Sequence, residues 1–485
     1  MNKKKRNIGV YVILALWIMA LYMICRFLGI NENRRVIQSI MFIAITVVLL
    51  RDCIIWKKGD WTTKSAIESV ILIGFIMRIG YMIYTDIVIR NHDLYSIKSS
   101  SFGHAGYLLT LMETGKLPQT NDVQFYQQPF FYMIGSVVSK IINGVLRCNE
   151  PYYLVDAAKV VSCYASCVTL VLTKRLACVL KMKEKGQLIA VSLVGFLPIT
   201  YLFSVSINSD SLMMMFMTLA ILYTIYWYQE PTWQHTISLA FIYGLGMMTK
   251  ISCGTIAIFT GCVFLKKIWD NRQTALFDYL IRYALFGMIS LPLGLWYSVR
   301  NYILFQQPLT YVVDLGKGTE IYCGDHSIIG RFFLVDLPNL LHSAYAYPFD
   351  DYNVPVYLLK TALFGEYTFE VPHWIPVMLL VTAVGLSGFF LYAVIWQVRQ
   401  NRQEKWLQGM VWILGILGVS CLMFNMKLPY GCSMDYRYYS VSAVLVAVLM
   451  GKLYEEDKFR HKRILKECLL IFMILSILMY LSISA

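Results

Sequence analysis

"AIESVILIGFIMRIGYMIYTDIVI" occupies residues 66–89, and "RNHD" follows at 90–93. Read as a helix rising 1.5 Å per residue, the first stretch crosses the ~30 Å hydrocarbon core of a bilayer. It then runs directly into a histidine and an acid, His92 and Asp93. Apolar runs of similar length recur along the chain. They lie near 8–28, 36–50, 155–173, 187–206, 210–228, 236–250, 252–268, 279–299, 374–398, 406–425, 438–454 and 465–484. With 66–89 they make roughly thirteen spans. Segments 236–250 and 252–268 are short and read either as two spans or as one broken unit. The 485 residues are 58% hydrophobic and 15% charged, whereas soluble domains are nearer half apolar and a quarter charged. The runs are continuous rather than alternating, which excludes a membrane β-barrel. The expected fold class is an all-α polytopic membrane protein.

Charge sets the expected orientation. With the N-terminus inside, most Lys and Arg fall on the cytoplasmic side, in short basic loops. Arg34 and Arg35 are a local exception. The opening "MNKKKRNIGVYVILALWIM" resembles the start of a signal peptide. No small-x-small cleavage site follows, so it is expected to stay as an anchor. The net charge of +14 is then largely a topology signal and needs no nucleic-acid partner. Membrane lipids are expected partners, anionic ones among them. The twelve cysteines form no CxxC pair, and most sit inside spans, where Cys acts as a small apolar residue.

This topology leaves two long outer loops, 90–154 and 300–373. Long ordered loops commonly carry function, so chemistry is expected on the outer face. In the first loop, "FGHAGYLLTLMETGKLP" has a helical apolar stripe and ends at Gly115 and Pro118. "QPFFYMIGSVVSKIINGVL" (128–146) is amphipathic and is expected to lie in the outer interface. The second loop brings Tyr345, Tyr347 and several prolines, with Trp374 at its end. These aromatics suit sugar stacking and an interfacial belt equally. The expected organisation is two N-terminal spans and a cytoplasmic loop (1–65), a catalytic membrane region (66–454), and a basic segment with a final span (455–485). No P-loop, Rossmann glycine pattern, HExxH or GxSxG occurs.

Four polar clusters sit where spans meet the outer face. They are His92-Asp93, Asn208 and Asp210 in "SINSDS", Arg300-Asn301 in "WYSVRNYILFQQPL", and Asp435 and Arg437 in "MDYRYYS". Each also has a plain structural reading. Asp93 reads as a solvated loop acid, Asp210 as a helix cap, Arg300 as a snorkelling side chain, and Arg437 as a partner of Asp435. Their common depth and face favour use, because ionisable groups there are costly. Lys250, ending "GLGMMTK", suits a lipid phosphate or snorkelling equally. Arg78 lies mid-span, about 20 Å of helix below Asp93, and is expected to pair structurally. Asp156 and Lys159 are expected to form an ion pair. His104, His326, His342 and His373 make no sequence-local metal motif. No metal site and no cofactor are therefore expected, although a divalent metal is not excluded. A carboxylate and several cations at a membrane surface suit group transfer from a lipid phosphate. The carboxylate takes a proton from an acceptor hydroxyl, and cations stabilise the departing phosphate.

The order of these features resembles the C-type integral membrane glycosyltransferases, in particular the branch of protein O-mannosyltransferases and lipid A aminoarabinose transferases. "NHDLYSI" resembles the acidic motif after an early span, and "FYQQPFFYMIG" the Pro-Pro-Leu-like element. "LPITYLFSVSINSDSL" resembles a span ending Asn-x-Asp. "GLGMMTK", "SVRNYILFQQPL" and "MDYRYYSV" resemble the elements that follow. The resemblance covers roughly residues 66–450. It implies a polyprenyl-phosphate sugar donor, inversion at the anomeric carbon, Asp93 as base, and Asp210 as a second acid of the site. His92 would position Asp93 or the sugar. The chain departs from the pattern at Gln128, where the family often has Lys or His, and at Phe130, which replaces the second proline. His92-Asp93 stands where the family commonly has Asp-Glu. A neutral amide cannot supply the lost cation, so Arg300 and Arg437 become candidates for the donor phosphate.

The expected activity is a membrane glycosyltransferase of the bacterial cytoplasmic membrane with its site facing outward. Its acceptor would be a glycan, lipid or protein. Two alternatives stay open: a lipid-linked glycan flippase, which calls for charges through the membrane and repeats, and a polymerase or ligase using a diphosphate-linked donor.

Overall fold

The computed structural model describes residues 2–95, 97, 102–273, 275–335, 340, 352–400 and 404–484, the side chains of 2–8 and 400 excepted. His342, Tyr345 and Tyr347 lie outside the described residues. Helices dominate the described residues, and the β-pairing among them is one isolated antiparallel bridge, Tyr322 to Tyr430.

Among the described residues, ten helices are long and apolar enough to cross a membrane, as the fold class requires, and a bent helix pair raises the number to eleven. That pair, Glu184–Phe196 and Ile199–Val205, bends by 57°. Pro198 lies at the bend, where its missing N–H and its ring break a helix. The stretches expected at 236–250 and 438–454 are helices of 17 and 14 residues, Trp233–Thr249 and Ser442–Glu455. At 1.5 Å per residue these are about 26 and 21 Å long, short of a ~30 Å core. The segment 90–154 contains both helices that its apolar patterns suggest. Gly103–Thr114 is a helix ending at Gly115 (φ 67°). Phe130–Leu146 buries Phe131, Tyr132, Gly135, Ser139 and Ile142. Its other face exposes Met133, Val137, Ile141 and Val145 at four-residue spacing.

Contacts divide the chain into two units. The first comprises Met1–Ile37, Arg78–Leu172 and Phe203–Val312. Within it, Trp233–Thr249 packs closely on the helix Leu276–Phe305 through glycines. A Cβ on Gly244 would fall 2.7 Å from Leu293, and one on Gly294 2.6 Å from Met247. Arg78 is fully buried; its Nε donates to Ser166 Oγ (3.0 Å) and its carbonyl accepts from Ser204 Oγ (3.0 Å). The Asp156–Lys159 pair forms as expected, at 2.5 Å, with both side chains buried. Tyr22 donates to the same carboxylate, and Lys159 also donates to the Thr85 carbonyl (2.8 Å).

The second unit comprises Gln38–Met77, Thr173–Leu202 and Val313–Ala485. Its closest helix contact joins Glu184–Phe196 to Ser442–Glu455. A Cβ on Gly451 would lie 2.4 Å from the Gly186 carbonyl, so two backbones touch where any side chain would part them. Asn353 caps Val354–Phe364 through Val356 N (3.1 Å) and donates its amide to the Gly330 carbonyl (2.7 Å).

Candidate functional site

The helix Thr63–Tyr84 stops five residues before the apolar run does. Asp86 Oδ1 accepts from Val88 N (2.8 Å) and turns the chain there. Asn91 then uses its whole amide on backbone. Its Nδ2 donates to the carbonyls of Ile87 (3.0 Å) and Val205 (3.2 Å), and its Oδ1 accepts from Ile207 N (2.6 Å). The turn carrying His92 and Asp93 is thereby tied to the turn leading to Asn208 and Asp210.

Asp93 has φ 55°, a left-handed conformation that Asp tolerates better than most residues, at a cost of about 1 kcal/mol. The residue is exposed and its carbonyl accepts from His104 N (3.0 Å). Gly103 (φ 79°) makes that approach possible: a Cβ there would sit 2.8 Å from the Leu94 carbonyl and 2.9 Å from that of Asp93. His92 beside it is half-buried. Burial, then the Asp93 charge, raises the pKa of the Tyr95 phenol above its ordinary value.

Asp210 opens the helix Asp210–Gln229. The capping expected of it comes from Asn208, whose Oδ1 accepts from Asp210 N (3.0 Å). The Asp210 carboxylate instead forms an ion pair with Lys250, with side-chain exposures of 3% and 16%. Lys250 directly follows Trp233–Thr249 in extended conformation. It turns to an acid rather than snorkelling.

Buried aromatics stand behind these turns. Tyr132 OH hydrogen-bonds His104 Nδ1 at 2.5 Å, and Tyr107 stacks on Tyr132 with centroids 4.0 Å apart. Burial raises the pKa of the Tyr132 phenol well above its ordinary value, and Tyr126, Asp210, Tyr297 and Asp93 add to it in that order. Tyr132 therefore feels both candidate acids. Burial also raises that of Tyr107, with Tyr297 adding and Arg300 opposing. Tyr297 donates to the Phe125 carbonyl (2.6 Å).

Arg300 is half-buried. It donates to Asn301 Oδ1 (2.9 Å) and to the Pro118 carbonyl (2.6 Å), with the Tyr297 ring 5.4 Å away. These bonds hold two of its five N–H groups and fix its plane. Gln128 donates to Ser298 Oγ (2.7 Å). Thus Asp93, His92, Asn208, Asp210, Gln128, Lys250, Arg300 and Asn301 all belong to the first unit.

Asp435 and Arg437 belong to the second unit. Arg437 Nε lies 3.3 Å from Asp435 Oδ2, and Asp435 Oδ1 accepts from Arg437 N (2.9 Å). The pairing reading therefore describes them as they stand. In the same unit Glu366 accepts from Tyr357 OH (2.5 Å).

Sequence reasoning passed over Asn91, Tyr107, Tyr132 and Tyr297, and weighed His104 only as a metal ligand. Asn91 had a signal: it is the first residue of the quoted "NHD". The tyrosines had none beyond an apolar stripe.

No protein-family model and no curated protein matches the sequence. Among solved structures, the chain is similar to the oligosaccharyltransferase of Archaeoglobus fulgidus in the apo form (TM-score 0.49, 12% identity, 89% of this chain and 57% of that one). It is similar to AglB from Archaeoglobus fulgidus in complex with an inhibitory peptide and a dolichol-phosphate (TM-score 0.47, 11% identity, 88% and 57%). It is also similar to ArnT from Cupriavidus metallidurans in the apo state (TM-score 0.32, 13% identity, 72% of each chain). The chain spans a little over half the length of the archaeal structures it matches.

Proposed function

We propose that this protein is a membrane glycosyltransferase that moves a sugar from a polyprenyl-phosphate donor to an acceptor hydroxyl on the outer face of a bacterial cytoplasmic membrane. One observation carries the reading. An exposed acid, Asp93, sits on a turn that the Asn91 side chain ties to the backbone of a second turn, which bears the cation-paired acid Asp210. An exposed acid on a braced turn can act on a substrate; a buried paired acid cannot readily do so.

In this reading Asp93 takes the proton of the acceptor hydroxyl as its oxygen attacks the anomeric carbon. The new C–O bond forms as the bond from that carbon to the phosphate oxygen breaks, inverting the centre. The electron pair leaves with the lipid phosphate. Arg300 meets the added charge, because its plane is already set by Asn301 and Pro118. Asn208, Asn301 and Gln128 offer amides to sugar hydroxyls, and His92 helps orient Asp93. Arg437, paired with Asp435, is a second candidate for the phosphate.

The test is transfer of labelled sugar from synthetic polyprenyl-phosphate donors by purified protein in liposomes, compared with Asp93→Asn. Transfer by the parent and none by the variant supports the reading. Turnover of diphosphate-linked donors alone favours the polymerase or ligase alternative. A flippase would move the lipid without forming a glycosidic bond; the described mid-span Arg78 is bonded to Ser166.

A further inference from the structure

We infer that Asn91 is a positioning residue for the proposed transfer: it holds the Asp93 turn in working register with the Asp210 turn. The inference rests on the reading of Asp93 as base and extends it to a side chain that touches no substrate.

The geometry is specific. Asn91 contacts backbone at residues 87, 205 and 207, using both ends of its amide. The two carbonyls require donors and the Ile207 N–H requires an acceptor. Only a side chain with both, at this length, satisfies all three. Aspartate would keep the acceptor and set a charge against two carbonyl oxygens. Alanine would free all three groups.

The bonds also act outside regular helix. The helix has ended at Tyr84, and Asp93 and Tyr95 both have φ 55°. Left-handed residues persist when surrounding contacts over-determine them. The Asp93 carbonyl is held from one side by His104 N, at the close approach of Gly103. Asn91, two residues before Asp93, holds the same segment to the backbone at 87, 205 and 207. The 203–210 turn is itself anchored: Ser162 Oγ donates to the Ser206 carbonyl (2.6 Å) and Ser211 Oγ to the Ser162 carbonyl (2.7 Å). Asn91 therefore ties the acidic turn to an anchored one. A misplacement of about 1 Å at a reacting group costs on the order of a hundredfold in rate.

The experiment compares the full-length protein with Asn91→Ala, Asn91→Asp and Asp93→Asn in liposomes. It reads kcat, the Kd for polyprenyl-phosphate sugar, and thermal midpoint. Expected is a fall in kcat of about thirtyfold or more for both Asn91 variants, with donor Kd within twofold of the parent, because Arg300 and its neighbours are undisturbed. A structural role alone would lower the midpoint or the amount of folded protein and leave kcat per folded molecule unchanged. That result, or parental kcat, overturns the inference. If neither variant accumulates, Asn91 is a folding residue and the inference falls. Parental activity in Asp93→Asn would sink the base assignment instead, and is read separately from the Asn91 result.

Discussion

Two acids lie close to the ends of spans in the first unit, and they are built in opposite ways. Asp156 is buried, paired with Lys159 at 2.5 Å and bonded by Tyr22. Asp93 is exposed and left-handed, its carbonyl held by His104 N, and its carboxylate has no hydrogen-bond or ion-pair partner among the described residues. The first arrangement uses the charge to close a structure. The second leaves the charge available and spends backbone bonds on its position. Asp210 is intermediate: buried and paired with Lys250, yet it belongs to the turn tied to that of Asp93. The difference is one of partner and exposure, and under the proposed function it separates a structural acid from the proposed base.

The widest separation is expected at Asp93 itself. Asp93→Asn keeps the shape and removes the proposed base, so transfer should fall at least a hundredfold with membrane abundance unchanged. A rate assay on equal amounts of folded protein measures it, and retained activity removes the contrast with Asp156.

Asp156→Ala should do the reverse. It leaves Lys159 buried without its carboxylate, which costs about 3–5 kcal/mol of stability. Thermal or denaturant midpoints in detergent should drop, while turnover per folded molecule stays parental. If turnover falls as well, Asp156 belongs to the chemistry and the comparison was drawn wrongly.

Asp210→Asn should fall between the two, with activity lowered about tenfold and a modest loss of stability, because Lys250 loses its counter-charge. The capping bond from Asn208 to Asp210 N is untouched by this change. Full activity would make Asp210 structural, like Asp156.

The smallest effect is expected in donor affinity at the arginines. Arg300→Lys keeps the charge and loses the planar fork, so the Kd for a polyprenyl-phosphate sugar should rise about fivefold, near 1 kcal/mol. Arg437→Gln should change it less, since Arg437 already sits 3.3 Å from Asp435. If Arg300→Gln and Arg437→Gln both bind and turn over the donor like the parent, the phosphate assignment fails.

The sequence by itself determined the class of the fold, because burial in lipid depends on local runs of apolar residues that can be read one window at a time. It also located the polar clusters, since span ends follow from the same runs, and it anticipated the Asp156–Lys159 pair, whose partners lie three residues apart. Tertiary structure decided the rest. The helix before Asp93 ended at Tyr84 although apolar residues continue to Ile89, because the Asp86 turn overrides hydropathy. Lys250 took Asp210 as partner across forty residues, and Asn91 reached the backbone at 205 and 207. Hydrogen bonds and ion pairs act over about 3 Å of space at any separation along the chain, and they leave no periodic trace in sequence. Which acid was closed off and which stayed exposed could be decided only where distant segments met.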